Sequence, residues 1–333
     1  MGRISGLNVL RALSVLMVCL AHICLQLGLN DIGRFLAYLF VDVFLFLSAF
    51  LLGLGHGESP VGLAFMKKRY LRLSVVYYPF LMISIMLLIL FGKHIDVKSI
   101  VLHFTYTNYI VNNKLCGVPF GHLWYLSIQM VSYLLITMLF CKGLYYKSKW
   151  VLGSRTGIAV LGVIAALGGV FLTSLGLPNR VSVVLFTYVV VFSRTGDILD
   201  WAKRIPPRMC LCIFVLLNVI TLLLFLFGDL EGKMIVRDWL IAVTSLSWLI
   251  YYLKLTRELF PKPIAFLSTI SFEIYLVHHP LVFGEFAWIH RGDGSAFFVG
   301  LEVLLTMCFV VLASWLLHLL SDTLSKCVTK IVS

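Results

Sequence analysis

Long apolar stretches recur along the whole chain, and they constrain its fold more than any other feature. Scanning the 333 residues for apolar runs of roughly 17 to 25 residues, the length that crosses a bilayer as a helix, gives about ten candidate spans. Because 61% of the residues are hydrophobic and only 13% are charged, we predict an all-α integral membrane protein, with residues 1–333 forming one transmembrane domain. The candidate spans are residues 7–29, 35–55, 73–92, 121–141, 151–175, 180–199, 208–228, 235–253, 264–289 and 296–320.

The distribution of Lys and Arg over the loops predicts the orientation, because cytoplasmic loops of membrane proteins carry an excess of these residues. Of the 27 basic residues, eighteen fall in the loops and termini on the side of the N-terminus, and eight fall on the other side. The remaining one is Arg11, inside the first span. This bias predicts that both termini are cytoplasmic and that the number of spans is even.

The net charge of +12 is typical of some nucleic-acid-binding proteins, but here it is spread over short loops beside apolar spans. Positive-inside topology explains it, so we expect membrane lipids and no nucleic acid as partners. No small-residue cleavage site follows the first apolar stretch, which favours a retained helix over a signal peptide. The eight cysteines lie almost all in or beside apolar spans, and they predict neither a disulfide framework nor a zinc site.

Two ionisable residues, Arg11 and His22, lie inside the first apolar stretch. A cation at membrane depth costs roughly 2.5 to 3.5 kcal/mol on insertion scales, so it usually faces a protein interior or a wet cavity. Eleven residues of helix place the two side chains about 16 Å apart along the axis and on nearly the same face. A single membrane histidine more often bonds to a neighbouring helix, but its pairing with Arg11 favours a catalytic role for His22.

A basic cluster precedes the third apolar stretch, at residues 65–72. Arg69 and Arg72 are three residues apart and share one helix face, and Lys68 adds charge beside them. Guanidinium groups match phosphate oxygens through paired hydrogen bonds, which favours a site for a phosphorylated cofactor arriving from the cytosol. A topology signal that holds anionic lipid explains the same residues, and the sequence leaves both alternatives open.

Polar and aromatic residues open the fourth apolar stretch, at residues 121–133. An interfacial aromatic belt explains Trp124, because indole rings favour the boundary between lipid and water. The same belt does not explain His122 or Gln129, so these side chains are candidates for positioning a substrate.

The ninth apolar stretch carries Glu273, Tyr275 and His278 ahead of Pro280. A proline in a membrane helix can be a tolerated kink. A carboxyl group in a membrane span needs a partner or a function, and Glu273, Tyr275 and His278 therefore join the candidates for positioning a substrate.

These stretches, together with Val41-Asp42-Val-Phe44 in the second span, resemble the acyltransferase family 3 membrane proteins, which acylate cell-surface glycans. The first span has the family's spacing of arginine, ten residues and histidine, and the basic pair, the His-Leu-Trp segment and the His-x-Pro segment follow in the family's order. The chain departs from the family pattern at Phe40 and Ala49, where glycine is usual, and at Gln129, where an acidic residue is common. The matching residues are Arg11, His22, Asp42, Phe44, Arg69, Arg72, His122, Trp124, Ser127, Ser271, Tyr275, His278 and Pro280.

The resemblance implies an acyl-CoA-dependent O-acyltransferase of the inner membrane of a bacterium, of the stand-alone type without a periplasmic hydrolase-like domain. It implies acetyl-CoA as donor substrate, no permanently bound cofactor or metal, and a polysaccharide or lipid-linked glycan as acceptor, such as lipopolysaccharide O-antigen or exopolysaccharide.

Our hypothesis for the site follows from the resemblance and from the chemistry of the side chains. His22 acts as general base on the acceptor hydroxyl or carries the acyl group itself, and Arg11 helps to seat the donor. Lys68, Arg69 and Arg72 bind the phosphates of coenzyme A. The residues expected to position substrates are Asp42, His122, Trp124, Gln129, Glu273, Tyr275 and His278.

A transporter or a polysaccharide export component is the competing interpretation, because histidines, arginines and a broken helix also mark permeation pathways. The chain has no paired halves with matching interrupted spans, which is the pattern expected of many transporters. A receptor or scaffold gives no reason for polar groups in four spans.

Overall fold

The computed structural model describes residues 5–109, 118–174, 180–228, 234–255, 261–283, 286–287, 289 and 296–332. Within these ranges the chain is helical, with no β-strand. The helices in chain order are α1 (Ser5–Gln26), α2 (Asn30–His56), α3 (Leu63–Leu90), α4 (Val97–Phe104), a 3₁₀ helix (Val118–Leu123), α5 (Trp124–Leu139), α6 (Tyr145–Gly153), α7 (Arg155–Ser174), α8 (Arg180–Ser193), α9 (Thr195–Arg204), α10 (Pro207–Phe227), α11 (Met234–Leu253), α12 (Pro261–Thr269), α13 (Ser271–Val282) and α14 (Ala296–Val332).

Eight stretches of the described chain are long and apolar enough to cross a membrane: α1, α2, α3, α5 with the turn before it, α7, α10, α11 and α14. A ninth candidate consists of α8 and α9, which are bent by 76° at the break between them. The predicted helical, multi-pass membrane class is therefore confirmed. The sequence stretch 264–289 differs from the expected single span, because it contains two short helices, α12 and α13.

Side-chain hydroxyl groups accompany both interruptions. At the bend between α8 and α9, Thr195 Oγ1 donates to the Val191 carbonyl at 2.7 Å. Between α12 and α13, Ser271 Oγ donates to the Ser268 carbonyl at 3.0 Å. Such bonds offer the backbone carbonyls a partner other than the next helical turn, and they are associated with bent helices.

Helix α2 lies at the centre of the bundle. It packs along most of α1 and also contacts α8 and α11, and its aromatic side chains Phe40, Phe46 and Phe50 are almost fully buried. Helix α13 packs against both α1 and α14. The residues predicted for the site lie on α1, α2, α5 and α13 in the interior of the bundle, on α3 and in the 3₁₀ helix before α5.

The periphery is formed by α7, α10 and α14, which leave most of their apolar side chains exposed. Apolar side chains need no protein partner in hydrocarbon, whereas backbone polar groups there must bond within the protein, as they do in a helix. These exposed surfaces are suited to contact lipid, and they free the central helices to carry polar groups.

A glycine allows α2 to cross the bend between α8 and α9 closely. A Cβ atom added at Gly53 would overlap Thr195 Oγ1 and the Phe192 carbonyl oxygen, whereas one added at Gly55 would meet no atom within 4 Å. The close approach therefore depends on Gly53.

We predict that Gly53→Ala lowers the melting temperature of the detergent-solubilised protein, because overpacking a buried contact costs about 1 to 3 kcal/mol. The matched control Gly55→Ala makes the same chemical change two residues away and should leave it unchanged or slightly raised. Thermal unfolding followed by intrinsic fluorescence measures both. Equal melting temperatures for the two variants would contradict the proposed packing.

Candidate active site

Four histidines from three different elements lie together in the bundle. The His22 ring, on α1, has its centroid 4.9 Å from that of His278 and 4.6 Å from that of His279, both on α13. The ring of His122, in the 3₁₀ helix, stacks on His279 at a centroid distance of 4.5 Å. Two of the three predicted histidines thus lie directly against His279, a neighbour that the motif comparison did not single out.

Hydrogen bonds tie the 3₁₀ helix to α13 at this cluster. His122 Nε2 lies 3.0 Å from the Leu276 carbonyl oxygen, and the Tyr275 hydroxyl donates to the His122 carbonyl at 2.6 Å. Because a carbonyl only accepts, we assign the proton of His122 to Nε2. Tyr275 and the Leu276 carbonyl of α13 are therefore both hydrogen-bonded to His122 of the 3₁₀ helix.

The contacts of His278 define which nitrogen of His22 is available for chemistry. His278 Nδ1 lies 2.7 Å from the Tyr275 carbonyl oxygen, so we assign a proton to Nδ1 and a lone pair to Nε2 of a neutral His278. His278 Nε2 lies 3.2 Å from His22 Nδ1, which also lies 2.9 Å from the Val18 carbonyl oxygen. Both neighbours accept, so His22 carries its proton on Nδ1, and Nε2 keeps the lone pair.

A cavity of about 950 Å³ lies beside the histidines. Four of the predicted cations line it: Arg11 from α1 and Lys68, Arg69 and Arg72 from the first turns of α3. None of the four forms an ion pair with a described residue, and Arg69 Nε is buried without a hydrogen-bond partner in that part of the chain. The cavity therefore carries an excess of positive charge that suits an anionic ligand.

The carboxyl groups that line the cavity have partners of their own. Glu273 Oε1 lies 2.7 Å from Nδ1 of His318, on α14, and Asp322 Oδ2 lies 2.6 Å from Lys326 Nζ. The partner that the sequence required for Glu273 is therefore His318. Four cations line the cavity and only two carboxyl groups do, so an excess of positive charge remains.

An aromatic layer separates the cavity from the histidines. Phe44 and Tyr125 line the cavity, and both rings contact the ring of Tyr275, at centroid distances of 6.4 Å and 4.7 Å. On its other side, Tyr275 lies 5.7 Å from the His278 ring. His22 does not line the cavity, and Tyr275 connects the aromatic lining of the cavity with the histidines.

Gln129 lies on the cavity side of the layer. Its Nε2 donates to the Tyr188 hydroxyl at 2.9 Å, and its Oε1 is buried without a partner among the described residues. A neutral amide occupies this position in the bundle, so the side chain can bind a polar group of a ligand but adds no charge there.

Two of the predicted residues belong to a different region. Asp42, on α2, forms an ion pair of 2.5 Å with Arg180, the first residue of α8. The Arg180 guanidinium lies 5.9 Å from the ring of Trp124. Trp124 and Tyr125 are adjacent at the start of α5, and only Tyr125 lines the cavity. We call Asp42, Arg180, Trp124 and the charged residues beside them the charged cluster.

The predicted residues are therefore divided among three places. The cavity is lined by Arg11, Lys68, Arg69, Arg72, Gln129 and Glu273. The histidine cluster contains His22, His122 and His278, and Tyr275 lies between this cluster and the cavity. The charged cluster contains Asp42 and Trp124. Sequence reasoning missed His279, His318 and Arg180. The principle that singled out Glu273, an ionisable group inside an apolar stretch, also applies to His318 and finds it.

Within the described part of the chain, no group of three or more His, Cys, Asp or Glu side chains is arranged to hold a metal ion. The histidine cluster is consistent with this, because the ring nitrogens with assigned protons point at carbonyl oxygens or at another ring. The chemistry that this arrangement can perform is proton transfer or nucleophilic attack by a neutral imidazole.

The comparison with protein families agrees with this geometry. A family model described as an acyltransferase domain, Acyl_transf_3, matches residues 4–319, nearly the whole chain. The protein therefore belongs to acyltransferase family 3 and is a membrane acyltransferase. Comparison with curated proteins and with solved structures found no match.

Proposed function

We propose that this protein transfers an acetyl group from cytoplasmic acetyl-CoA to a hydroxyl group of a cell-surface polysaccharide, such as lipopolysaccharide O-antigen or exopolysaccharide. One observation carries the proposal: a basic cavity, whose cations form no ion pair with a described residue, is connected to the hydrogen-bonded His22 cluster through the aromatic layer of Phe44, Tyr125 and Tyr275. The donor binds in the cavity, and its thioester end crosses the aromatic layer. The acceptor hydroxyl meets the thioester at His22.

The basic cavity is the donor site in this proposal. Coenzyme A carries phosphate groups at one end and a thioester at the end of a flexible arm. Arg69 and Arg72 bind the phosphates through paired hydrogen bonds, and Lys68, which is exposed at the same wall, adds attraction. Arg11 and Arg72 lie close enough to interact electrostatically, so an anion between them relieves their mutual repulsion.

His22 is the general base. Its Nε2 lone pair takes the proton of the acceptor hydroxyl while the hydroxyl oxygen attacks the thioester carbonyl carbon. The tetrahedral intermediate collapses, the carbon–sulfur bond breaks, and the coenzyme A thiolate takes the proton back from His22. His278 holds the ring, because its Nε2 accepts from His22 Nδ1–H and stabilises the charge that His22 acquires.

A covalent route uses the same atoms. His22 Nε2 attacks the thioester carbon and expels the thiolate. The acceptor hydroxyl oxygen then attacks the acetyl carbon, the bond to the imidazole breaks, and the hydroxyl proton goes to the coenzyme A thiolate. Both routes require His22 to be neutral with its proton on Nδ1, so the contacts with Val18 and His278 serve either one.

The orientation of the chain follows from the same proposal. Lys68, Arg69 and Arg72 begin α3 on the side of the N-terminus of α1, which the excess of basic residues places in the cytoplasm. Both termini are cytoplasmic in this arrangement, the donor enters from the cytoplasm, and the protein lies in the inner membrane of a bacterium. No permanently bound cofactor is involved, because acetyl-CoA is a substrate.

Transfer is tested with membranes that contain the protein, acetyl-CoA labelled in its acetyl group, and surface polysaccharide from cells lacking this gene. We expect label on the polysaccharide with the wild type, and at least a 100-fold lower rate with His22→Ala, since positioned acid–base groups contribute about 10² to 10⁴. His103→Ala, which removes a buried histidine of α4 outside the cluster, should retain transfer. Unlabelled polysaccharide that crosses the membrane would instead identify an export component.

The donor site is tested by binding of coenzyme A to purified protein. We expect Arg69→Ala and Arg72→Ala each to raise the Kd about 10- to 100-fold, the effect of losing a hydrogen bond to a charged group of about 1.5 to 3 kcal/mol. Arg208→Ala removes an exposed cation that does not line the cavity and should leave the Kd unchanged. Calorimetric titration measures all three, and equal Kd values would remove the proposed roles.

The positioning role of His278 gives a separate prediction. His278→Leu removes the acceptor for His22 Nδ1–H, and we expect kcat to fall about 100-fold, as misplacement of a reacting group by about 1 Å does. His278→Gln keeps an acceptor and should recover part of the loss and part of the wild-type pH profile. The KM for acetyl-CoA should stay within about twofold in both, because His278 does not line the cavity. A change in KM alone would contradict this role.

A further inference from the structure

The charged cluster holds four ionised side chains that the proposed transfer step does not use. Asp42 and Arg180 pair at 2.5 Å, with exposed fractions of 1% and 5%. Arg237 and Asp238, near the start of α11, pair at 3.0 Å, with exposed fractions of 11% and 1%. The Arg180 side chain also donates to the Tyr38 carbonyl at 2.7 Å. The guanidinium groups of Arg180 and Arg237 lie 4.5 Å and 4.8 Å from the ring of Tyr38, so α2, α8 and α11 contribute charges to one buried place.

The pairing inside the charged cluster is incomplete. Arg180 Nε and Nη1 and Asp238 Oδ2 are buried and have no hydrogen-bond partner in the described residues. A buried polar atom left without a partner destabilises the fold. Apolar residues of the same volume would connect these helices at no greater cost. The two free donors of Arg180 and the free acceptor of Asp238 therefore indicate a site for a polar ligand.

Aromatic rings accompany the buried charges. The Arg180 guanidinium lies 4.5 Å from the centroid of Tyr38 and 5.9 Å from that of Trp124, and the ring of Tyr109 lies 5.4 Å from Trp124. All three aromatic side chains are partly exposed, whereas Arg180 and Asp238 are not. A ligand that reaches the charges therefore contacts aromatic rings first.

The charge balance distinguishes this place from the donor cavity. Two arginines face two aspartates, so the charged cluster is formally neutral, while the cavity carries four cations that form no ion pair with a described residue. A phosphate gains little at a neutral cluster. A hydroxyl group both donates and accepts, so a ligand with several hydroxyl groups can satisfy Arg180 and Asp238 together. The apolar C–H face of a sugar ring can pack on Tyr109 or Trp124 in the same pose.

The charged cluster is connected to the proposed reaction site. Trp124 follows His122 by two residues, and the His122 ring stacks on His279, which in turn lies 4.6 Å from His22. The segment from His122 to Trp124 therefore contributes to both the histidine cluster and the charged cluster. A glycan chain has several sugar units, so one unit can occupy the charged cluster while a neighbouring unit presents its hydroxyl to His22.

We propose that Arg180 and Asp238 form a subsite for a neutral sugar unit of the acceptor, with Trp124 and Tyr109 as its aromatic wall. Arg180 Nε and Nη1 donate to sugar hydroxyl oxygens, and Asp238 Oδ2 accepts from a sugar hydroxyl. Asp42 holds Arg180 in place and does not contact the ligand in this arrangement. The inference rests on the proposed acetyl transfer, because it assigns part of the acceptor site of that reaction.

Two substitutions leave a polar partner for Asp42 and for Arg237 while they remove the free groups. Arg180→Lys retains a cation for Asp42 but loses the two unpaired donors. Asp238→Asn retains an oxygen for Arg237 and replaces the free carboxylate oxygen by a donor. Thr244→Val is the matched control, because it removes the buried hydrogen bond of 2.7 Å between Thr221 and Thr244 on the same helix as Asp238.

The test measures initial transfer rates in purified protein with labelled acetyl-CoA and the surface polysaccharide from cells lacking this gene. We expect Arg180→Lys and Asp238→Asn each to raise the KM for the polysaccharide about tenfold or more, with the KM for acetyl-CoA unchanged. Thr244→Val should lower the melting temperature without changing either KM. Binding of the same polysaccharide without donor, measured by fluorescence titration, should weaken in parallel with the change in KM.

The outcomes separate the subsite from the proposed reaction. A lower melting temperature with an unchanged KM and unchanged polysaccharide binding in Asp238→Asn would overturn the subsite, even if Arg180→Lys does not fold. Polysaccharide binding that weakens in the variants while the wild type transfers no label would overturn acetyl transfer and leave the subsite in place. Absence of both binding and transfer in the folded wild type would overturn both.

Discussion

A polar group inside a bilayer must find its partner within the protein, and this constraint organises the whole interior of the bundle. His22 Nδ1 bonds to the Val18 carbonyl of its own helix and to His278, and Glu273 bonds to His318. His278 and His318 come from helices that pack beside those of His22 and Glu273, so these polar contacts and the helix packing depend on one another. The peripheral helices α7, α10 and α14 leave most of their apolar side chains exposed, and α14 also supplies His318 to the interior.

Three polar regions with different charge lie close together but remain distinct. The cavity has an excess of cations on one wall, the histidine cluster has neutral rings joined by hydrogen bonds, and the charged cluster has equal numbers of cations and anions. Different charge balances select different ligands, because an anion gains most at unpaired cations and a neutral hydroxylated ligand gains most at mixed donors and acceptors. The rings of Phe44, Tyr125 and Tyr275 lie between the lining of the cavity and the histidine cluster.

Much of the candidate site could be predicted because the bilayer makes buried polar residues conspicuous. Arg11, His22 and Glu273 stand out in apolar stretches for a physical reason, and the basic cluster of α3 stands out by its spacing. Helix periodicity could not show that Asp42 pairs with Arg180, since 138 residues separate them in the chain. Residues 264–289 are apolar enough for one span, but hydroxyl groups near Ser271 and the proline of α13 accompany two short helices instead.

The amino-acid sequence by itself determined the helical membrane class, the family and the identity of most polar residues in the interior, because hydropathy and short motifs are local properties. The tertiary structure decided which of these residues are in contact. His22 is hydrogen-bonded to His278, Tyr275 lies between the cavity and the histidines, and Asp42 and Trp124 lie in a separate cluster with Arg180. Contacts between helices depend on how their side chains pack around α2, and that packing involves residues far apart in the chain.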